Sequence, residues 1–375
     1  MPSFPYEQLR RWPDVEAENL VAADATDRLI IDEAAVAVRA APDSIVVIGD
    51  RYGALTLAAA GVHGATGVRV HQDPLSGEVA LANNAAATGL LGCFVNHRLD
   101  AELVRAARVV LVQLPKSLAE LQEIAETVAA HADPAVVVYA GGRVKHMTPA
   151  MNDVLRRCFT EVSATLARQK SRVLVARGAR PGIEPTFPRR QRHDDLAIEV
   201  CAHGAAFGGT KIDPGTRFLL GFLDQMSPEA RSAVDLGCGT GALAVTLARV
   251  RPGLEVTATD DSASAIASTV ATSAANGVAA QVTAVRDDAM ASMPDASVDL
   301  VLCNPPFHLG TSVHAGAALK LFAAAGHVLR PGGELWTVFN THLAYASSLR
   351  RLVGPTRVVG RDARFTVTVS RRSVR

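Results

Sequence analysis

Asn304, Pro305, Pro306 and Phe307 form a short motif whose residue types could recognise an amine. They follow the apolar run 298–303, which predicts a buried strand that ends at Asn304. Two consecutive prolines donate no backbone hydrogen bonds, so carbonyl oxygens stay available at the strand end. The Asn304 side-chain oxygen and the Pro305 carbonyl could together accept both hydrogens of a planar NH2 group, with Phe307 stacking on a flat substrate. Taken alone, the motif could equally be a proline turn with Phe307 in the core.

A second candidate motif is the glycine-rich turn formed by Gly237, Gly239 and Gly241. Glycines between a strand and a helix let a nucleotide-like ligand approach the backbone at the helix N-terminus. With Ala242 the run also fits the dinucleotide pattern G-x-G-x-x-[GA], and Asp260 stands where that pattern places a ribose-binding acid. A nicotinamide dehydrogenase is therefore an alternative, although neither Asp235 nor the Asn-Pro-Pro-Phe motif has a place in such an enzyme.

Both motifs lie in an α/β pattern that the chain contains twice. The strand, turn and helix of 46–55 return at 234–243, and the same offset continues through the next strand and helix. Farther along, 110–115 aligns with 301–306. We therefore predict an α/β protein with two tandem Rossmann-like domains that arose by internal duplication, each with a mostly parallel sheet and a C-terminal antiparallel hairpin.

The segment between the copies, 181–194, is rich in proline, glycine and charge and has no periodicity, which predicts a linker. The predicted domains are accordingly 1–180 and 195–375. A length of 375 residues agrees with two domains.

Composition restricts the protein class. Hydrophobic residues make up 49% and charged residues 20%, with no apolar run as long as a membrane span, which favours a soluble globular protein without a membrane partner. The N-terminal acids Glu7, Asp14, Glu16 and Glu18 argue against a signal peptide. The five cysteines include no C-x-x-C pair, so neither a disulfide framework nor a metal site is expected, and the cytoplasm is the predicted compartment.

Asp-x-Gly-x-Gly-x-Gly, an acid at the end of the next strand and Asn-Pro-Pro-Phe together resemble class I S-adenosylmethionine-dependent methyltransferases that act on an amino nitrogen. Phe207 and the runs 212–217, 304–308 and 340–345 resemble a narrower family, the ribosomal RNA small- and large-subunit guanine-N2 methyltransferases. That family has a catalytic C-terminal domain behind a degenerate N-terminal duplicate. Lys211 departs from it, since a glycine is expected at that position.

The resemblance implies S-adenosylmethionine as the cofactor and assigns its site. The residues implied to bind it are Asp235, Gly237, Gly239, Gly241, Asp260, Asp288 and Asn304. Those implied for catalysis are Asn304, Pro305, Pro306 and Phe307, with Phe307 and His308 also on the substrate. Asp235 would fix the glycine loop, Asp260 would hold the ribose hydroxyls, and Asp288 or its neighbour Asp287 would bind the adenine amine. One Asp at a strand end is usually a turn or cap residue, but three at successive ends favour a site.

The first copy lacks these features at the aligned positions. Arg51 replaces Gly239, Gln72 replaces Asp260, and 113–116 (Gln-Leu-Pro-Lys) replaces the Asn-Pro-Pro-Phe motif. Arg51 would place a large side chain where the cofactor approaches the backbone. We therefore predict that the first copy keeps the fold without the catalysis.

The predicted activity is methyl transfer from S-adenosylmethionine to the N2 amine of a guanine in ribosomal RNA. Adenine N6 and a protein glutamine amide are alternative acceptors because the same amine receptor would serve them. A non-catalytic nucleic-acid-binding protein is the alternative from another class. The expected partner is ribosomal RNA or a ribosomal subunit, and the chain is expected to be a monomer.

Basic residues are concentrated in two segments, 142–192 with 12 basic and 3 acidic groups and 345–375 with 8 basic and 1 acidic group. We predict that the degenerate copy uses the segment 142–192 to bind RNA phosphates. The candidate contacts are Arg156, Arg157, Arg189 and Arg190. The alternative is a solvated face whose arginines are balanced by nearby acids.

Overall fold

The computed structural model describes residues 4–17, 19–306 and 312–373. The chain folds into two compact units, Met1–Phe187 and Pro188–Arg375. Phe307 and His308, two of the predicted substrate contacts, lie outside the described residues. Within those residues, no helix is both long enough and apolar enough to cross a membrane.

The first unit is a seven-stranded sheet with helices on both faces. Its strands are β1 (Ile45–Ile48), β2 (Val68–His71), β3 (Phe94–Asn96), β4 (Val109–Gln113), β5 (Val137–Arg143), β6 (Phe159–Ala164) and β7 (Ser171–Ala179). Its helices are α1 (Ala25–Ala40), α2 (Ala54–His63), α3 (Leu75–Ala87), α4 (Ala101–Val104), α5 (Leu118–His131) and α6 (Pro149–Cys158). The strand order is β3-β2-β1-β4-β5-β7-β6, parallel from β3 to β5 and antiparallel at β7 and β6.

The second unit begins with a two-stranded hairpin and continues with its own seven-stranded sheet. The strands are β8 (Arg189–His193), β9 (Ile198–Ala202), β10 (Ser232–Leu236), β11 (Glu255–Asp260), β12 (Val282–Arg286), β13 (Val298–Cys303), β14 (Leu329–Asn340), β15 (Thr356–Arg361) and β16 (Phe365–Arg371). The helices are α7 (Pro214–Leu220), α8 (Ala242–Val250), α9 (Ala263–Ala275), α10 (Ser312–Val328) and α11 (Ala346–Leu352). The sheet order is β12-β11-β10-β13-β14-β16-β15.

The two sheets have the same strand order, and in both the last two strands are antiparallel. The central strands are apolar and almost fully buried, as expected of parallel strands covered by helices on both faces. This confirms the predicted fold class, and the equal order is what a duplication would produce.

The structure differs from the sequence prediction in the segment 181–194. Residues Arg189–His193 form β8, which pairs with β9, and both belong to the second unit. The polar run of β8 gives no strand signal of its own. It forms a strand because it pairs with β9, which is apolar and buried. The contact of His193 with the Thr210 carbonyl at 2.8 Å holds its end in place.

Strand register brings the predicted site residues to one edge of the second sheet. Leu236, near the end of β10, is level with Thr259 of β11 and Cys303 of β13. The residues that follow each of these three positions are Gly237, Asp260 and Asn304. All three therefore lie at the carboxyl edge of the sheet, where open α/β folds bind their ligands.

Candidate active site

The glycine turn of the second unit has a left-handed backbone at each of its three glycines. The φ angles are +75° at Gly237, +54° at Gly239 and +77° at Gly241. In the described part of the chain, no atom lies within 4 Å of a Cβ built on Gly237 or Gly239. A Cβ on Gly241 would lie 2.9 Å from the Thr269 Cγ2 atom of α9. The first two glycines thus leave room for a ligand, whereas Gly241 permits close helix packing.

Asp235 lies under this turn with a side chain that is 2% exposed. Its Oδ2 atom accepts a 2.9 Å hydrogen bond from the Ala244 amide in the first turn of α8. Its Oδ1 atom is buried and has no hydrogen-bond partner among the described residues. Burial, together with a smaller contribution from the charge of Asp260, raises the pKa of Asp235 to about 7. A buried acceptor of this kind suits a ligand that brings a positive charge or a donor.

Asp260 is half-buried at the end of β11 and holds two backbone amides. Its Oδ2 accepts from Gly239 and its Oδ1 from Ser262, each at 3.0 Å. The carboxylate therefore orders the glycine turn directly.

The adjacent acids Asp287 and Asp288 have different surroundings. Asp287 is buried and accepts from the Ser292 amide at 3.0 Å and from the Ser292 hydroxyl at 2.7 Å. Asp288 is half-buried and forms an ion pair with Lys320 of α10. Asp287 thus has the contacts of a turn-forming residue, and Asp288 is the more accessible carboxylate.

Asn304 is held through its side-chain amide. The Nδ2 atom donates to Asp213 Oδ1 at 3.0 Å and to Thr216 Oγ1 at 2.9 Å, both at the start of α7. The Oδ1 atom of Asn304 is buried and accepts no hydrogen bond from the residues that the structure describes. Pro305 is buried and Pro306 is exposed. The sequence motif 212–217 contained Asp213 and Thr216, but it did not reveal their contact with Asn304.

Neither cysteine near the turn has the properties of a nucleophile. Cys238 and Cys303 are both buried, and burial raises the pKa of each thiol well above its ordinary value. Cys303 belongs to the packed strand β13, which agrees with the site acting without a covalent intermediate.

The four arginines predicted to contact RNA are divided between the two units. Arg156 and Arg157 are exposed in the last turn of α6, where Arg156 pairs with Asp153 at 3.2 Å. Arg189 and Arg190 are exposed on β8 of the second unit, where Arg190 pairs with Glu199 at 3.2 Å. Arg189 and Arg190, predicted to lie in the linker 181–194 and to serve the first copy, instead lie on a strand that pairs within the second unit.

The sheet order and the site at its carboxyl edge define a methyltransferase domain. Residues 197–369 match the methyltransferase small domain family, and residues 3–180 match the RLMG N-terminal domain family. A T. thermophilus 16S rRNA N2 methyltransferase (RsmC), solved in complex with AdoMet and guanosine, shares the fold with a TM-score of 0.71. It is 21% identical, and the match covers 93% of this chain and 92% of that one.

Curated relatives define the family more narrowly. The chain is 34% identical to the ribosomal RNA large subunit methyltransferase G of Streptomyces avermitilis over 96% of this chain and 95% of that protein. It is 35% identical to the Pseudomonas aeruginosa protein of the same name over 98% and 99% of the two chains. The chain belongs to the ribosomal RNA large subunit methyltransferase G family, which confirms the family inferred from the sequence motifs.

Proposed function

We propose that this chain transfers a methyl group from S-adenosylmethionine to the exocyclic N2 amine of a guanine in ribosomal RNA. The observation that carries the proposal is the buried Oδ1 atom of Asn304, whose amide nitrogen is already committed to α7. The names of its relatives support a ribosomal RNA substrate, and the guanosine complex of the T. thermophilus enzyme supports the base.

The second unit fits the cofactor at several points. Gly237 and Gly239 leave open space along the turn, Asp235 offers a buried carboxylate oxygen, and Asp260 is positioned for the ribose hydroxyls. We assign the adenine amine to Asp288 rather than to Asp287, whose carboxylate holds Ser292. When bound, the cofactor supplies a methyl group that its sulfonium has activated for attack.

The residues at the end of β13 would orient the attacking amine. The Asn304 oxygen and the Pro305 carbonyl would each accept one N–H of the amine, which favours the pyramidal nitrogen that forms as attack begins. This withdraws the nitrogen lone pair from conjugation with the base. Phe307 is proposed to stack on the base from the sequence motif alone. Catalysis then depends on positioning more than on acid–base groups.

RNA binding would involve both units. The target guanine must leave its stack to reach Asn304, which favours a looped or single-stranded nucleotide. We assign phosphate contacts to Arg156 and Arg157 on the first unit and to Arg189 and Arg190 on the second. We further propose that the chain acts as a monomer and in the cytoplasm, where its proposed substrate is found.

The activity is tested with labelled S-adenosylmethionine and separated ribosomal RNAs, followed by nucleoside analysis. We expect labelled N2-methylguanosine from one RNA species, formed far more slowly by the Asn304→Ala variant. Label in N6-methyladenosine or in protein would instead support the alternative acceptors and overturn the proposal.

The arginine assignments are tested by charge reversal in pairs. Arg156→Glu with Arg157→Glu, and separately Arg189→Glu with Arg190→Glu, should each flatten the dependence of RNA affinity on salt, because each phosphate contact releases counterions. The affinity for S-adenosylmethionine should stay unchanged. If only one pair alters the salt slope, RNA contacts that unit alone.

A further inference from the structure

The Asn304 amide is part of a hydrogen-bond network that begins at the N-terminus of α7. Asp213 is the N-cap of that helix, and its Oδ1 accepts from the Gly215 amide at 2.8 Å and the Thr216 amide at 3.3 Å as well as from Asn304. Resting on the proposed function, we propose that Asp213 and Thr216 are positioning residues that fix and polarise the acceptor oxygen of Asn304.

The chemistry of the partners sets the orientation of the amide. A carboxylate only accepts hydrogen bonds, so the NH2 side of Asn304 must face Asp213. Turning the amide by half a rotation would place its oxygen against the carboxylate and break the hydrogen bond to Asp213, while the Thr216 hydroxyl would have to change from acceptor to donor. The oxygen therefore keeps one direction before any substrate binds, which is the preorganisation that positional catalysis requires.

The carboxylate also strengthens the oxygen as an acceptor. A charge-assisted bond at Nδ2 shifts electron density through the amide towards Oδ1, and hydrogen bonds in series reinforce one another. Positive charge develops on the attacking amine as its nitrogen bonds to the methyl carbon and the carbon–sulfur bond breaks. A more negative acceptor at the N–H stabilises that transition state more than it stabilises the bound substrate.

Gly215 leaves the space that this network needs. A Cβ built there would lie 3.0 Å from Asp213 Oδ1, 3.3 Å from the Phe365 ring and 3.5 Å from Asn304 Oδ1. A Cβ at this position would therefore crowd the Asp213 carboxylate and the Phe365 ring and come into van der Waals contact with the Asn304 oxygen. Each residue of the sequence Asp213-Pro214-Gly215-Thr216 therefore has a structural role at the start of the helix. In order, they are the N-cap, a proline at the first helical position, a residue without a side chain, and the hydroxyl that accepts from Asn304.

The first unit contains an equivalent hydrogen bond, although it lacks the Asn-Pro-Pro-Phe motif. Gln113, at the end of β4, donates through its side-chain amide to Asp27 in the first turn of α1. A link between the fourth sheet strand in chain order and the helix that precedes the first sheet strand is therefore also a feature of the fold. A stability loss on disrupting the second-unit network would not by itself show a role in the reaction, so the test must separate the two effects.

Thr216→Val removes one partner of the Asn304 amide and keeps the side-chain shape. We expect kcat to fall by about tenfold, which corresponds to one ordinary hydrogen bond in the transition state, while the Kd for S-adenosylmethionine changes less than twofold. Thr216→Ser retains the hydroxyl and should restore most of kcat. The matched control is Thr26→Val, since Thr26 is also buried near the start of a helix, α1, and its Oγ1 is 2.8 Å from the Ser171 hydroxyl.

Thr26→Val should lower Tm about as much as Thr216→Val does and leave kcat unchanged.

Asp213→Asn tests polarisation, because asparagine caps a helix as well as aspartate does but carries no charge. It should lower kcat by about threefold to tenfold with little change in Tm. The proposal is overturned if Thr216→Val and Asp213→Asn keep the wild-type kcat, or if Thr26→Val lowers kcat as much as Thr216→Val does. Each kcat is expressed as the ratio of variant to wild type, measured on whichever amine the wild-type protein methylates. A different acceptor would therefore refute the guanine assignment, but this test would still decide the role of Asp213 and Thr216.

Discussion

In both units a carboxylate accepts hydrogen bonds from first-turn amides of equivalent helices, α2 and α8, but the two carboxylates lie at different positions in the chain. In the second unit Asp235, on the strand, reaches the Ala244 amide, and the turn that follows stays open. In the first unit Asp50, in the turn itself, bonds the Leu55 amide at 2.7 Å and the Thr56 amide at 2.9 Å. Asp50 thereby uses both of its oxygens on its own helix, whereas one buried oxygen of Asp235 has no partner among the described residues. Different carboxylates can thus provide the same hydrogen bonding at the start of equivalent helices.

The backbone of the turn is otherwise alike in the two units. The left-handed positions of the first unit are Gly49 at +76°, Arg51 at +60° and Gly53 at +95°. They have the same spacing as Gly237, Gly239 and Gly241. The two turns therefore differ in their side chains and not in the course of the backbone.

The largest effect is expected when the second turn is given the side chain of the first. Gly239→Arg should weaken S-adenosylmethionine binding by about 100-fold or more, roughly 3 kcal/mol, because the side chain occupies the open space beside the turn. The fold should survive, since Arg51 adopts the same conformation. Calorimetry measures the affinity and should give one cofactor per wild-type chain.

Gly253→Arg is the matched control for backbone strain. Gly253 has φ +94° and, among the described residues, nothing within 4 Å of an added Cβ. Both variants should lose about 1–2 kcal/mol of stability, but only Gly239→Arg should lose the cofactor. A stoichiometry of two, or equal affinity in both variants, would contradict the assignment of the site to the second unit alone.

A second test compares the two strand-end amides. Asn304→Ala should lower kcat by about 100-fold, as loss of one oriented hydrogen-bonding group does in other active sites, and spare cofactor affinity. Gln113→Ala removes the corresponding amide of the first unit and should change thermal stability only. Single-turnover methylation and thermal unfolding measure the two outcomes, and near-normal turnover of Asn304→Ala would show that the amine is not bound as proposed.

A smaller effect is expected from pH. Burial raises the pKa of Asp235 to about 7, so below that pH the free protein holds a proton there that a cationic ligand must displace. The Kd for S-adenosylmethionine should then rise about tenfold for each pH unit below about 7 and become constant above it. Asp235→Asn should remove this dependence. Equal pH profiles for the variant and wild type would exclude Asp235 as the group that titrates.

Much of this arrangement could be predicted from the sequence because it depends on local patterns. The apolar strands, the spacing of Gly237, Gly239 and Gly241 and the offset between the copies indicate the sheet and its carboxyl edge. Asp260 was predictable as the acid at the end of β11. Its bond to the Gly239 amide was not, because the sequence shows which strand an acid ends and not which amide it faces.

Other features depend on contacts between residues far apart in the chain. The partners of Asn304 lie about 90 positions earlier, and no periodicity connects them. Asp50 aligns with Cys238 and not with Asp235, so an alignment of the copies hides the fact that Asp50 and Asp235 cap equivalent helices. β8 forms a strand because of its neighbour β9, and its own composition favours a linker.

The left-handed conformation of Arg51 has a consequence for finding inactive domains. A side chain with a Cβ pays a conformational penalty there that glycine avoids, yet the turn has kept its shape. The positive φ angle at this position is therefore retained even though the glycine, by which such turns are usually recognised, is replaced by arginine. Degenerate copies with no glycine signature should therefore be detectable from the spacing of positive φ angles after a buried strand, even where no ligand binds.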